Sequence, residues 1–147
     1  MTGTVKPVPE GYHTVTPYLT VANVAQLLEF LKRAFGAEEK EKMAGPDGTI
    51  RHAEVRIGDS VVMMGQARDQ WKARPATLYL YVPDVDAVYQ RALAAGGKSI
   101  QELQTQFYGD RTGAVQDAQG NDWWIASHVE DVSPEEMKKR AAAAGRS

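Results

Sequence analysis

The sequence predicts an α+β fold of two tandem βαβββ modules forming a curved mixed sheet. Three observations predict it. The chain repeats itself at an offset of 61 residues. Each copy passes from a strand into a capped helix at the same place. Each helix is then followed by three short alternating segments separated by glycine-bearing turns.

The repeat is direct. Thr16-Pro-Tyr-Leu-Thr-Val-Ala-Asn-Val24 aligns with Thr77-Leu-Tyr-Leu-Tyr-Val-Pro-Asp-Val85, and Asn23 falls opposite Asp84. In the first copy Thr14 to Val21 alternates as a strand does. Asn23 then caps a helix, with Gln26 at the capping-box position. Val24, Leu27, Leu28, Leu31 and Phe35 form its apolar stripe, and Gly36 stops it. In the second copy Asp84 is the cap, Val85, Val88, Tyr89, Ala92 and Leu93 are the stripe, and Gly96-Gly97 is the stop. Further strands are expected at about 38–44, 49–57 and 60–65, and again at about 98–103, 111–117 and 122–128. Gly45-Pro46-Asp47-Gly48, Gly58-Asp59 and Gly120-Asn121 supply turns. The two hairpin glycines, Gly58 and Gly120, keep the repeat register to within one residue.

Residues 1–132 thus read as one domain, with module one at about 8–65, a polar linker at 66–75 and module two at about 76–132. Residues 133–147 read as a helical tail: Ser133 caps it, Pro134 sits first and Glu136 completes a capping box.

Composition bounds the function. The net charge of −2 leaves no electrostatic footprint for nucleic acid. Cysteine is absent, which excludes disulfides, thiolate zinc sites and cysteine nucleophiles. The first ten residues lack the apolar core of a signal peptide, and no window reaches the roughly 20 apolar residues of a membrane span. A cytoplasmic protein is expected. No phosphate loop, nucleophile elbow or zinc-protease helix occurs.

Two tandem βαβββ modules resemble the vicinal oxygen chelate superfamily, which contains glyoxalase I, extradiol dioxygenases and the fosfomycin and bleomycin resistance proteins. Gly11-Tyr-His-Thr-Val-Thr-Pro-Tyr-Leu19, His52-Ala-Glu-Val-Arg-Ile-Gly-Asp-Ser60, Gln106-Phe-Tyr-Gly-Asp-Arg111 and His128-Val-Glu-Asp-Val-Ser-Pro-Glu-Glu-Met137 look like its PhnB-like, glyoxalase/bleomycin-resistance branch. The resemblance covers about residues 8–132. Within such a superfamily the fold does not fix the reaction.

The resemblance implies a homodimer, and a metal site with two ligands per module, on the first and fourth strands. Carried over by the repeat, those positions are Thr16 and Thr77, and Val62 and Trp124. None is His, Glu or Asp, so no metal and no cofactor is expected.

Residue alternation gives the site. His52 and Glu54, two apart on one strand, share a face with Arg56, opposite Ala53, Val55 and Ile57. They read as a general base with its orienting carboxylate, as ligands of a relocated metal, or as a polar rim. Thr16 and Tyr18 share that side with Thr20, and in the second module Thr77, Tyr79, Tyr81 and Trp124 share one face. A cavity lined by hydroxyls and rings suits a planar aromatic or heteroaromatic ligand, unless the rings fill it themselves. Tyr108 and Arg111 could clamp an anionic group at its mouth, or Asp110 and Arg111 could pin the loop locally. Trp71, beside Arg68, could cover the pocket or pack at a subunit interface. His13 and His128 carry no defining motif. The expected function is metal-independent sequestration of a small-molecule ligand. The alternative is a glyoxalase, lyase or isomerase-type enzyme that uses His52 and Glu54.

Overall fold

Asn23 and Asp84 start two helices by the same chemistry. Each sits in extended backbone, and its carboxamide or carboxylate oxygen accepts from the amide three residues on, at Gln26 and Ala87. Gly36, at φ 66°, ends the first helix in the left-handed conformation that favours glycine. From these anchors a computed structural model, which describes residues 4–145, shows eleven elements. They are β1 (Tyr18–Val21), α1 (Val24–Phe35), β2 (Glu38–Ala44), β3 (Ile50–Ile57), β4 (Ser60–Gln66), β5 (Thr77–Tyr81), α2 (Val85–Ala94), β6 (Lys98–Thr105), β7 (Asp110–Gln116), β8 (Asp122–His128) and α3 (Pro134–Ala144).

The chain divides between Ala76 and Thr77 into two units, each with its own four-stranded mixed sheet. The first sheet runs β1-β4-β3-β2 and the second β5-β8-β7-β6. In each, the outer first strand lies parallel to the fourth, and the other pairs are antiparallel. The two βαβββ modules therefore stand as the repeat predicts.

In the first unit α1 buries Val24, Leu27, Leu28, Phe30, Leu31 and Ala34. They meet the inward residues of the sheet, among them Leu19, Val21, Ala53, Val55, Val62 and Met64, all buried. Burial of such side chains supplies roughly 1.5–3 kcal/mol each. Phe35, expected in the stripe, is only half-buried, its place taken by Phe30 and Ala34. In the second unit Val85, Tyr89 and Ala92 of α2 pack with Val115, Trp123 and Ile125. β2 is exposed along its whole length and carries Glu38, Glu39, Lys40, Glu41 and Lys42, a charged edge that discourages pairing with another chain.

Three expectations are corrected. β1 begins at Tyr18 rather than Thr14, because Pro17 has no amide to continue the ladder. The two last hairpins differ. Gly58-Asp59 joins β3 to β4 in two residues, whereas Asp117 to Asn121 make a five-residue loop between β7 and β8. In that loop Asp117 accepts from the amides of Gln119 and Asn121 and from Trp123 Nε1. The fourth strands consequently keep the offset of the first: Met63 pairs with Tyr18 as Trp124 pairs with Tyr79. Met63, not Val62, is the counterpart of Trp124.

The segment read as a linker folds back on β1. Ala67 N donates to Val21 O at 2.8 Å and Arg74 N to Thr20 O at 3.1 Å, with a tight turn closed between Arg68 and Trp71. The helical tail is tied to the second unit by Arg140. It forks onto the Glu130 carboxylate at 2.7 and 2.9 Å and also donates to Phe107 O.

Candidate functional site

The period-2 pattern of β3 turns His52 and Glu54 to the sheet face away from α1, and Ala53 and Val55 toward it. Across the open face His52 Nε2 lies 2.8 Å from Glu54 Oε2. Glu54 Oε1 accepts from the hydroxyl of Tyr12, which arrives from the segment ahead of β1. Burial raises the Glu54 carboxyl, but the hydrogen bonds from His52 and Tyr12 outweigh it and hold its pKa below the usual value. The Tyr12 phenol, donating to that carboxylate, is pushed up to about 12. Arg56, expected to share a rim with Glu54, instead bonds Glu38 of β2 at 2.7 Å.

Two cavities flank this trio within the first unit. One, of about 490 Å³, is lined by Glu54, Tyr12, His13, Thr16 and Met63. The larger, of about 620 Å³, lies on the His52 side. Tyr18, Thr20, Arg51, Gly65, Arg68 and Trp71 help line it, and no carboxylate does. Gly65 stands opposite His52 in the ladder, and its missing side chain leaves room for the Tyr18 ring. A Cβ there would come within 2.9 Å of Tyr18 Cζ. The Tyr18 ring therefore lies beside His52, with ring centroids 5.8 Å apart.

The second unit has its own hub at a different register. Asp110, almost fully buried, accepts from Tyr79 at 2.7 Å and Tyr81 at 2.9 Å, and meets His128 Nδ1 at 2.9 Å. His128 Nε2 reaches Asp131 at 2.7 Å. Burial raises the Asp110 carboxyl, but its three donors win and lower it, while the two carboxylates raise His128. Burial, Tyr108 and Asp110 raise Tyr79. Trp124 is half-buried beside Tyr79 in the ladder, and Thr77 is exposed.

The structure thus brings Thr16, Tyr18, His52 and Glu54 to one face of the first sheet. In the second unit it groups Thr77, Tyr79, Tyr81 and Trp124, with Tyr108 alongside. Arg111 stands apart. Its guanidinium forks onto Asp86 of α2 at 2.8 and 3.1 Å, so the local Asp110–Arg111 pair does not form. Sequence reasoning missed Tyr12 altogether and gave His128 no role. The one available signal, a His or Tyr near a carboxylate on the same face, does not reveal partners that are distant in sequence.

The profile described as the Glyoxalase/Bleomycin resistance protein/Dioxygenase superfamily matches residues 12–125. The chain belongs to this superfamily. Uncharacterised proteins of Mycobacterium bovis and Mycobacterium tuberculosis are each 34% identical to it over 142 residues. Those matches cover 89% of this chain, with 93% of the first relative and 84% of the second. Among solved structures, TioX from a Micromonospora species is similar with TM-score 0.69 and 26% identity, over 78% of this chain and 98% of that one. A family enzyme from Burkholderia phytofirmans shares the fold with TM-score 0.63 and 16% identity, over 78% and 97% of the two chains.

Superfamily membership implies a metal at the first- and fourth-strand positions, and the residues present do not fit one. These are Thr16 and Thr77 by the repeat and Met63 and Trp124 by the observed ladders, which offer two neutral hydroxyls, a thioether and an indole. None supplies the anionic oxygens or imidazoles that replace a divalent cation's water.

Proposed function

We propose that this superfamily member binds a planar aromatic or heteroaromatic small molecule in the His52-side cleft of its first unit, without a metal ion. The observation that carries the reading is the pair of rings at the cleft: Tyr18 and Trp71 are each 55% exposed while lining a cavity of about 620 Å³. That volume suits a ligand of drug-like size. Large rings left in water cost free energy that a stacked ligand would recover. The exposed Tyr79 and Tyr81 of the second unit support the further reading that the protein pairs with a second copy, which a solution mass measurement tests.

The test is a titration of tryptophan fluorescence with a panel of fused-ring heteroaromatic compounds, on the protein and on Trp71→Phe. Saturable quenching that shrinks in the variant supports the reading. A flat response across the panel contradicts it.

A second reading rests on one contact. A half-buried imidazole held by a buried carboxylate, itself held by a phenol, is the arrangement of an oriented general base. His52→Ala separates the two. Turnover that vanishes while binding survives assigns catalysis, and intact binding with no turnover in the unaltered protein assigns sequestration.

A further inference from the structure

The cleft beside His52 carries a charge signature that aromatic stacking does not need. The chain as a whole is net negative at −2, yet the lining of this cavity contains Arg51, Arg68 and His52 and no Asp or Glu. Neither arginine is held by a close carboxylate. Arg51 reaches a carboxylate only at 3.9 Å, from the exposed Asp47 of the β2–β3 turn. Arg68 has no ion pair among the described residues, and its guanidinium lies 5.4 Å from the Trp71 ring centroid. By contrast, Arg56, Arg111 and Arg140 each close on a carboxylate within 2.8 Å.

Position is fixed as well as charge. The Arg68–Trp71 turn is pinned by two backbone hydrogen bonds of 2.8 and 2.7 Å, and Asp69 takes a positive φ of 45° to make it. The flanking bonds of Ala67 and Arg74 hold that turn on the β1 edge. A guanidinium stacked over a ring keeps its in-plane donors directed outward, available for fork-like pairing with an anion.

We propose that the ligand of this cleft is an aromatic anion. Its rings lie against Tyr18 and Trp71, and its carboxylate, phosphonate or sulfonate group is taken by Arg51 and Arg68. This rests on the aromatic-ligand reading above and adds the charge. The His52 imidazole, with Glu54 behind it, presents a third polar group at the same wall.

The experiment uses two dyes that differ by one sulfonate group: anilinonaphthalene sulfonate and its uncharged parent, phenylnaphthylamine. Affinity is measured by dye fluorescence on the full chain, on Arg51→Gln, Arg68→Gln and the double variant, with circular dichroism confirming the fold. The sulfonate is expected to bind roughly tenfold more tightly than the neutral dye. Each single variant is expected to lose about fivefold for the sulfonate only. Added salt should narrow the gap between the dyes. Equal binding of both dyes, unchanged in the variants, overturns the charge assignment and leaves the aromatic reading standing. Binding of neither overturns both. Arg140→Gln, whose guanidinium is committed to Glu130, serves as the control that leaves both affinities unchanged.

Discussion

His52 and Glu54, two residues apart on β3, meet across 2.8 Å on the open face of the first sheet, the carboxylate 6% exposed. Tyr12 closes the far side of that carboxylate. A buried anion is tolerated because donors surround it, so removing one donor is costly. Tyr12→Phe is expected to destabilise the protein by about 2 kcal/mol in urea denaturation, since a hydrogen bond to a charged group is lost. A titration of the six tyrosines by ultraviolet absorbance should find one ionising near pH 12 that returns toward 10 in Glu54→Gln. Because the folded Glu54 pKa lies below its unfolded value, its contribution is present above about pH 4.5 and is lost as the pH falls through the folded value. The variant should lose less stability over that acid range than the unaltered protein.

Gly65→Ala separates site from fold. The added methyl meets only the far end of the Tyr18 side chain, which can swing away. Unfolding free energy should stay within about 1 kcal/mol of the original, while dye affinity in the His52-side cleft falls several-fold. Gly113→Ala is the opposite case. Its Cβ would lie 2.7 Å from Tyr89 Cδ1 and 3.2 Å from Leu103, against a buried ring, at a cost of about 2 kcal/mol.

His128 makes stability depend on pH in the second unit. Asp110 and Asp131 raise its folded pKa above the ordinary 6.5, so the native state binds the extra proton. Its contribution is complete below pH 6.5 and fades as the pH rises through the folded value. Thermal midpoints of the protein should fall over that rise, and His128→Gln should flatten the slope. A slope unchanged in the variant would place the effect elsewhere.

Asp117 organises the β7–β8 loop and is buried together with the indole it satisfies. Asp117→Ala removes the carboxylate that accepts from Trp123 Nε1 and from the Gln119 and Asn121 amides, and is expected to cost about 3 kcal/mol by chemical denaturation. Asp117→Asn keeps an acceptor and should recover part of that loss.

Local chemistry wrote much of the fold into the sequence. Caps at Asn23, Asp84 and Ser133 act within three residues, and the hairpin at Gly58-Asp59 within two, so a linear reading finds them. Strand alternation likewise placed His52 and Glu54 on one face of the first module, and Tyr79, Tyr81 and Trp124 on one face of the second. What alternation does not supply is the partner. Tyr12 and Glu54 are 42 residues apart, and Tyr79 and Asp110 are 31 apart, so folding alone brings them together. Arg111 shows the same limit. Its place beside Asp110 in sequence suggested a local pair, but neighbouring residues on a strand point to opposite sides, and Arg111 reaches Asp86 instead. The Arg68–Trp71 turn was legible as polar and aromatic, but its return to β1 depends on backbone hydrogen bonds that no side-chain pattern announces.

The central claim, an aromatic ligand held at the His52 side of the first sheet, is met most directly by mapping a bound ring onto the chain. The measurement is a two-dimensional amide NMR titration with anilinonaphthalene sulfonate. Saturable shifts are expected to concentrate at Tyr18, His52, Gly65 and Arg68, with the Trp71 indole among the largest. Shifts confined to residues beyond Thr77, or none at a large excess of dye, would contradict it.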